Sequence, residues 1–193
     1  MNICVFCSSS NGIADSYFSE AKTLGTLIGK SGHTLVNGGG NVGLMEESAA
    51  AAKKAGANTI GVIPVRMHER NLTSENSLEV IITDDMKDRK EQIREISDAF
   101  IALPGGFGTL EEILEVITLK QLTYHNKAIV FINTNNFFQF LFKQFEVTFS
   151  ENFAKEEYNQ LYYITENAED AIEYIQNYKH IEKFSKWFKV PEK

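Results

Sequence analysis

Short apolar runs alternate with longer amphipathic stretches along most of this chain. The runs are four or five residues long, and some are apolar throughout, as in Phe100–Leu103. Strands of a parallel sheet show this pattern because helices cover both of its faces. The pattern predicts strands at Ile3–Cys7, Thr34–Asn37, Thr59–Ile63, Leu78–Ile82, Ala99–Leu103, Ala128–Ile132 and, more weakly, Tyr162–Thr165.

The amphipathic stretches between these runs predict helices. Gly32 and Gly56 follow two of them, at the position where glycine commonly ends a helix. The alternation predicts an α/β fold of the doubly wound, Rossmann-like type, with a mostly parallel sheet and helices on both faces. The predicted helices are Asp15–Lys30, Leu44–Ala55, Asp85–Asp98, Leu110–Tyr124, Phe137–Phe153 and Ala168–Tyr178.

Composition narrows the class of protein. A chain of 193 residues that is 43% hydrophobic can bury one sizeable core, so we expect a single domain over residues 1–180 and a C-terminal tail over residues 181–193. The net charge of −7 argues against a nucleic-acid surface. No apolar run approaches the ~20 residues that span a bilayer, and no signal-peptide pattern follows Met1. We therefore expect a cytoplasmic protein that binds neither nucleic acid nor membrane.

Cysteine and histidine give little reason to expect metal or redox chemistry. Cys4 and Cys7 lie three residues apart on a predicted strand, so their thiols should point to opposite faces of the sheet. A redox pair would be expected at a helix start, and a zinc site would need further ligands. We expect no metal and no cofactor, and we interpret the four histidines as surface or structural residues: His33, His68, His125 and His180.

Ligands of doubly wound sheets bind beyond the carboxyl ends of the strands, so those loops are where a site is expected. After the second predicted strand, Gly38, Gly40 and Gly43 satisfy the pattern G-x-G-x-x-G of dinucleotide-binding proteins. The acidic residue that normally holds the ribose is missing after Ile63, which favours a mononucleotide or sugar phosphate over NAD. The polar stretch 66–77 after the third strand is a candidate lid.

The turn at Pro104–Glu112 carries a stronger signal, because three glycines lie between a buried strand and a helix start. Free amide groups and the helix dipole can hold a phosphate there. Thr109 and Glu112 also have the spacing of a capping box, with Thr109 as the N-cap. Because neighbouring helix positions diverge by about 100°, we expect Glu111 and Glu112 to play different roles, one facing the ligand and one capping or supporting.

Arg89 and Lys90 lie in the opening turns of a predicted helix, where the dipole disfavours cations. Their placement indicates a use in binding or catalysis. The alternative is that both are solvated and balanced by neighbouring acids, namely Asp84, Asp85 and Asp88.

From about Ile3 to Ile132 the chain resembles the LONELY GUY (LOG) family of cytokinin riboside 5′-monophosphate phosphoribohydrolases, which were once mislabelled as lysine decarboxylases. The resemblance is carried, in order, by Gly38–Met45, by Met86 with Arg89 and Lys90, and by Pro104–Glu112. No lysine suited to a pyridoxal Schiff base supports the older label.

The resemblance implies that Arg89 and Glu112 form the catalytic pair. It also implies a set of substrate contacts that includes the glycine turn, and we expect Ser9, Gly39 and Gly40 to support the phosphate. The implied substrate-binding residues are Glu75, Arg89, Lys90, Gly105, Gly106, Phe107, Gly108, Thr109, Leu110, Glu111 and Thr118. Two positions depart from the family pattern: Ser8 and Glu46 stand where glycine is usual.

The expected reaction is hydrolysis of the N-glycosidic bond of a nucleoside 5′-monophosphate (cytokinin riboside or adenosine) to free base and ribose 5-phosphate. A carboxylate would stabilise the oxocarbenium-like transition state and activate water. The alternatives are a non-catalytic nucleotide- or molybdenum-cofactor-binding module, an NAD-linked oxidoreductase and a DNA-processing protein, the last disfavoured by the charge.

The helix after the glycine turn carries more apolar residues than one packing face needs, which predicts a homodimer. The resemblance also implies a site near a dimer interface, with Thr118 at the boundary between subunits. The apolar residues are Ile113, Leu114, Val116, Ile117, Leu119 and Leu122.

Overall fold

The computed structural model describes residues 1–179, and their strands form a sheet of seven parallel strands. The spatial order is β4-β3-β2-β1-β5-β6-β7. This confirms the predicted doubly wound α/β fold, with each predicted strand within one or two residues of its observed position. The strands are β1 (Asn2–Phe6), β2 (Thr34–Asn37), β3 (Thr59–Pro64), β4 (Glu79–Thr83), β5 (Ala99–Ala102), β6 (Ala128–Ile132) and β7 (Tyr163–Thr165).

Helices cover both faces of this sheet, and each face has its own apolar core. One core joins the sheet to α1, α2 and α7, while the other joins it to α4, α5 and the aromatic side chains of α6. The helices are α1 (Asp15–Lys30), α2 (Gly43–Lys54), the one-turn α3 (Val65–His68), α4 (Met86–Ile96), α5 (Phe107–Gln121), α6 (Gln139–Ser150) and α7 (Ala168–Gln176). Gly32 and Gly56 have φ values of +69° and +91° just after α1 and α2, as predicted for helix ends.

The chain changes direction across the sheet between β1 and β5. These two strands are neighbours, yet α1 leaves β1 on one face and α5 leaves β5 on the other. The loops after the two strands therefore separate and leave a crevice, and they touch at its base, where the Ser8 amide donates to Pro104 O at 3.2 Å. Such a switch point is where doubly wound sheets bind ligands.

Helix α5 begins earlier than the sequence predicted, and this overturns the capping box. Its N-cap is Gly106, which makes no side-chain capping bond, so Thr109 lies inside the first turn and is buried. A Cβ on Gly105 would stand 2.2 Å from Thr109 Oγ1, which shows that the threonine packs directly over that glycine. Glu112 is thus free of any capping role.

Several other helix ends also differ from prediction, by one to three residues, and left-handed residues mark some of them. Asn135 and Asn136 have φ near +57° and form a separate turn of 3-10 helix, which delays α6 to Gln139. Thr123, with φ +65°, follows the end of α5 at Gln121. At the start of α4, Asp85 is the N-cap residue, and its carboxylate caps the helix.

Helices α1 and α2 are packed at backbone distance. A Cβ on Gly25 would lie 2.3 Å from Ser48 O, and one on Gly29 would lie 2.6 Å from Ala55 Cβ. Only glycine fits at these two positions, so the spacing between the helices is set by main-chain contact.

Among residues 1–179, no helix has both the length and the apolar character needed to cross a bilayer. The predicted domain boundary and tail lie at residues 180–193, outside the described part of the chain. Domain organisation and cytoplasmic location both stay predictions.

Candidate active site

The start of α5 presents unpaired amide groups to open space. Residues Gly106, Phe107 and Gly108 are exposed, and a Cβ on either glycine would meet no atom within 4 Å. The first amide of the helix to find a partner is that of Leu110, which donates to Gly106 O at 3.1 Å. Within residues 1–179 the amides of Phe107, Gly108 and Thr109 have no recorded acceptor. Together with the helix dipole, these amides are able to bind an anion.

Beneath this turn, Arg89 of α4 and Glu112 of α5 form a buried ion pair. Arg89 Nη1 lies 2.8 Å from Glu112 Oε1, and the side chains are 10% and 12% exposed. A second bond fixes the guanidinium, because Arg89 Nε donates to Val62 O of β3 at 3.0 Å. This disagrees with the alternative that Arg89 is a solvated surface residue.

The pKa of Glu112 reflects two opposing effects. Burial raises the pKa of its carboxyl above the ordinary value, and the Arg89 guanidinium lowers it by charge and by hydrogen bonding. The net direction is upward, so this carboxyl takes up a proton more readily than an exposed glutamate does.

The Arg89 guanidinium packs directly against Gly38, which follows β2. A Cβ at this position would stand 2.0 Å from Arg89 Nη2 and 3.2 Å from Met45 Sδ. The sequence pattern had suggested that Gly38 belongs to a dinucleotide-binding turn. In the structure its lack of a side chain instead admits the guanidinium.

Glu111 points away from Glu112 and meets Lys90 at the surface, so the two adjacent glutamates diverge as expected. Lys90 Nζ bonds Glu111 and lies 3.3 Å from Glu115 Oε2, which Arg94 also approaches at 3.1 Å. The hydrogen bond that Lys90 donates to Glu111 raises the pKa of Lys90 most. Burial lowers this pKa by less, and the charge of Glu115 adds a still smaller rise. These charges form an exposed network between α4 and α5, beside the buried pair.

The start of α2, unlike that of α5, is already filled by the protein. The Gly43 amide donates to Asn11 Oδ1 at 2.8 Å and the Leu44 amide to Ser8 O at 2.9 Å. A helix start with occupied amides has less capacity for an anion. Whether Ser9, Gly39 and Gly40 support the phosphate stays a prediction. Ser9 is exposed in the loop that packs on Gly43.

The segment predicted as a lid is bonded to the glycine turn after β2. Thr73 pairs with Gly40, and the Ser74 amide donates to Gly39 O at 2.9 Å. Glu75 follows, with its side chain exposed. No recorded hydrogen bond or ion pair in residues 1–179 joins Glu75 to Arg89 or Glu112. Gly39 and Gly40 therefore hold this segment against the end of β2.

Thr118 lies on the other side of α5, away from the ion pair. Its hydroxyl donates to Leu114 O at 2.8 Å, and it borders a small apolar groove of about 110 Å³. The groove lies between α5, α6 and the turn before β7, and it includes Leu114, Ile117, Phe145, Phe149 and Tyr162.

The cysteines behave as predicted from their spacing. Cys4 belongs to one core and Cys7 to the other, and neither forms a disulfide. Burial, and then the nearby charge of Glu112, raises the pKa of both thiols, so they are neutral residues below the ion pair. In the described residues no three His, Cys, Asp or Glu side chains are grouped to hold a metal ion.

A family of proteins described as "Possible lysine decarboxylase" matches residues 45–175. Among curated proteins, a cytokinin riboside 5′-monophosphate phosphoribohydrolase of Arabidopsis thaliana, LOG4, is 39% identical over 91% of this chain and 82% of its own. Another from the same plant, LOG5, is 35% identical over 93% of this chain and 78% of its own. The rice enzyme LOG, from Oryza sativa subsp. japonica, is 38% identical over 92% and 75%.

Solved structures share the fold as well. The molybdenum cofactor binding protein of Rippkaea orientalis superposes with a TM-score of 0.71 at 27% identity, covering 91% of this chain and 94% of that one. The molybdenum cofactor carrier protein of Chlamydomonas reinhardtii gives a TM-score of 0.68 at 23% identity, over 91% and 94%. The second similarity concerns the fold alone.

Proposed function

Because the chain belongs to the LONELY GUY (LOG) family of phosphoribohydrolases, we propose that it hydrolyses the N-glycosidic bond of a nucleoside 5′-monophosphate. Water adds to the ribose C1′, the bond from C1′ to the base nitrogen breaks, and free base and ribose 5-phosphate leave. The observation that carries the proposal is a buried Arg89–Glu112 pair beneath the unpaired amides of α5.

In this reaction the 5′-phosphate binds at the start of α5. The amides of Phe107, Gly108 and Thr109 supply donors, and the helix dipole favours the negative charge. Gly105 lets Thr109 close over the turn, and the absence of side chains on Gly106 and Gly108 leaves room for the phosphate oxygens. The exposed side chain of Phe107 and the half-buried Leu110 flank this site.

Glu112 acts on the ribose once the phosphate is held. Its carboxylate stabilises the positive charge that grows on the ring as the base departs, as carboxylates do in glycoside hydrolysis. Its raised pKa also suits it to accept the proton of the attacking water. Arg89 holds this carboxylate in one orientation and offers its remaining N–H groups to the phosphoribosyl group or the leaving base.

The outer residues bind the rest of the nucleotide. Lys90 and Glu111 form an exposed pair that a substrate can open at low cost, because surface ion pairs contribute only about 0–1 kcal/mol. Glu75 and Thr118 complete the proposed set of contacts. Glu75 lies on the β3–β4 connection, and Thr118 borders the groove between α5 and α6. Within residues 1–179 neither makes a hydrogen bond or ion pair with the Arg89–Glu112 pair, so a second chain is proposed to complete the pocket.

We include a homodimer in the proposal. Leu114 and Ile117 of α5 are only partly covered, Leu122 is 36% exposed, and the apolar groove beside Thr118 is open. An uncovered apolar helix face commonly meets a partner, and two-fold pairing is the commonest solution. A second chain on this face would bring Thr118 to the subunit boundary.

Hydrolysis of a panel of nucleotides tests the function. We expect the purified protein to release base from AMP or a cytokinin riboside 5′-monophosphate at least about a hundredfold faster than from the matching nucleoside, because phosphate binding positions the sugar. Free bases and ribose 5-phosphate are resolved by chromatography. Equal turnover of AMP and adenosine would contradict the phosphate assignment. A tightly bound ligand with no turnover of any nucleotide would favour a cofactor-binding function like that in the name of the Rippkaea orientalis protein.

A further inference from the structure

Glu46, in the first turn of α2, is bonded to the segment that carries Glu75. Its carboxylate accepts a hydrogen bond from Ser74 Oγ and another, of 2.7 Å, from Asn76 Nδ2. Both bonds are charge-assisted, which makes them stronger than bonds between neutral groups. Glu46 thus binds the residues on both sides of Glu75.

The same face of α2 makes a third contact with this segment. Lys53 lies seven positions after Glu46, two helical turns away, and its Nζ donates to Glu75 O at 2.9 Å. On the opposite side, the Ser74 amide donates to Gly39 O. The backbone on each side of Glu75 is therefore fixed, while the Glu75 side chain itself is exposed.

We propose that Glu46 is a positioning residue. It orders Ser74–Asn76 in the free protein, so that the Glu75 carboxylate already faces the place where the nucleotide binds. The proposal rests on the function proposed above. A segment ordered in advance loses less conformational freedom on binding, so its contacts contribute more to affinity. The chemical step, which belongs to Arg89 and Glu112, does not depend on Glu46.

Glu46→Ala tests this, with Glu47→Ala as the matched control. Glu47 is the next residue of α2, carries the same charge, and makes no recorded hydrogen bond or ion pair in residues 1–179. Hydrogen–deuterium exchange of peptides covering residues 72–77 measures the order of the segment without any substrate. Steady-state kinetics use the nucleoside 5′-monophosphate that the wild-type protein hydrolyses fastest.

In Glu46→Ala we expect faster exchange in residues 72–77 and a rise in KM of about tenfold, equivalent to about 1.4 kcal/mol, with kcat unchanged. Glu47→Ala should match the wild type in both measurements. Because Glu46 acts through Glu75, the rise in KM should disappear when Glu46→Ala is added to Glu75→Ala.

Unchanged exchange in Glu46→Ala, or the same rise in KM with and without Glu75, would overturn the proposal. A lower melting temperature with normal KM would overturn it too, because that would give Glu46 a purely structural role. If the wild-type protein hydrolyses no nucleotide, the proposed function fails, and the exchange comparison still decides whether Glu46 orders the segment.

Discussion

Replacing Gly38 by alanine should disrupt the Arg89–Glu112 pair although neither of those two residues is substituted. The new Cβ would stand 2.0 Å from Arg89 Nη2, whereas ordinary contacts begin near 3.4 Å, so the guanidinium must move by about 1.4 Å. Two bonds oppose that movement: Nη1 to Glu112 Oε1 at 2.8 Å and Nε to Val62 O at 3.0 Å. A shift of this size breaks at least one of them.

The size of the effect follows from the burial of the pair. A hydrogen bond to a charged group contributes about 1.5–3 kcal/mol to stability, so unfolding free energy should fall by about that amount. A displacement of about 1 Å in a catalytic group can cost a hundredfold in rate. We therefore expect kcat for nucleotide hydrolysis to drop at least about a hundredfold, and more than stability alone would explain.

The assay is turnover per folded molecule, with thermal or urea unfolding measured on the same preparation. Gly12→Ala is the matched control, because a Cβ there would meet only Ser10 Oγ at an ordinary 3.8 Å. A Gly38→Ala protein with wild-type kcat and stability would refute the reasoning, since the guanidinium would then be free to move without consequence.

Three further outcomes are expected. Glu112→Gln keeps an oxygen that can accept the Arg89 bond, so this variant should fold normally yet lose activity at least about a hundredfold. The control Glu115→Gln, in the network between α4 and α5, should keep its activity. An active Glu112→Gln would remove the carboxylate from the mechanism. Burial lowers the pKa of His125 to about 4, whereas histidine in an unfolded chain has a pKa of about 6.5. Between these pH values only the unfolded chain takes up the proton, so the free energy of unfolding should fall by up to about 3 kcal/mol as pH drops through this window. Urea unfolding of His125→Gln should show a flatter pH profile, and a profile identical to that of the wild type would contradict the assignment. Light scattering of the active protein should give twice the 21.8 kDa chain mass, and Thr118→Arg should reduce both mass and activity; an active monomer would refute the shared site.

The fold was predictable because its signals are local. Runs such as Phe100–Leu103 are apolar on both faces, and only a covered parallel sheet accommodates many of them in one chain. The exposed glycine turn before α5 was predictable for a similar reason, since three glycines lie between a strand and a helix in the sequence. His125 was expected to be structural, and in the structure both of its ring nitrogens are used by backbone groups.

The pairings inside the site could not be derived from local patterns. Arg89 and Glu112 are 23 positions apart. Their contact depends on Gly38, just after β2, and on Val62 of β3. The pattern at Thr109 and Glu112 fitted a capping box, but tertiary packing of Thr109 over Gly105 prevailed. Glu46 departs from the family pattern, and its role could not be derived without its partners Ser74 and Asn76 on the β3–β4 connection.

The main-chain contact between α1 and α2 limits how this molecule can move. Helices slide past one another when side chains at their interface can change rotamer, but Gly25 and Gly29 leave only backbone and methyl groups there. That half of the protein therefore behaves as a rigid support, and it holds the loop after β1 through the amides at the start of α2. We expect any closure around a nucleotide to come from residues 66–71, which precede the part of the connection that Glu46, Lys53 and Gly39 hold, and from the first turn of α5. Substitutions that tune substrate choice are thus best sought in those two segments, while α1 and α2 keep the geometry against which they move.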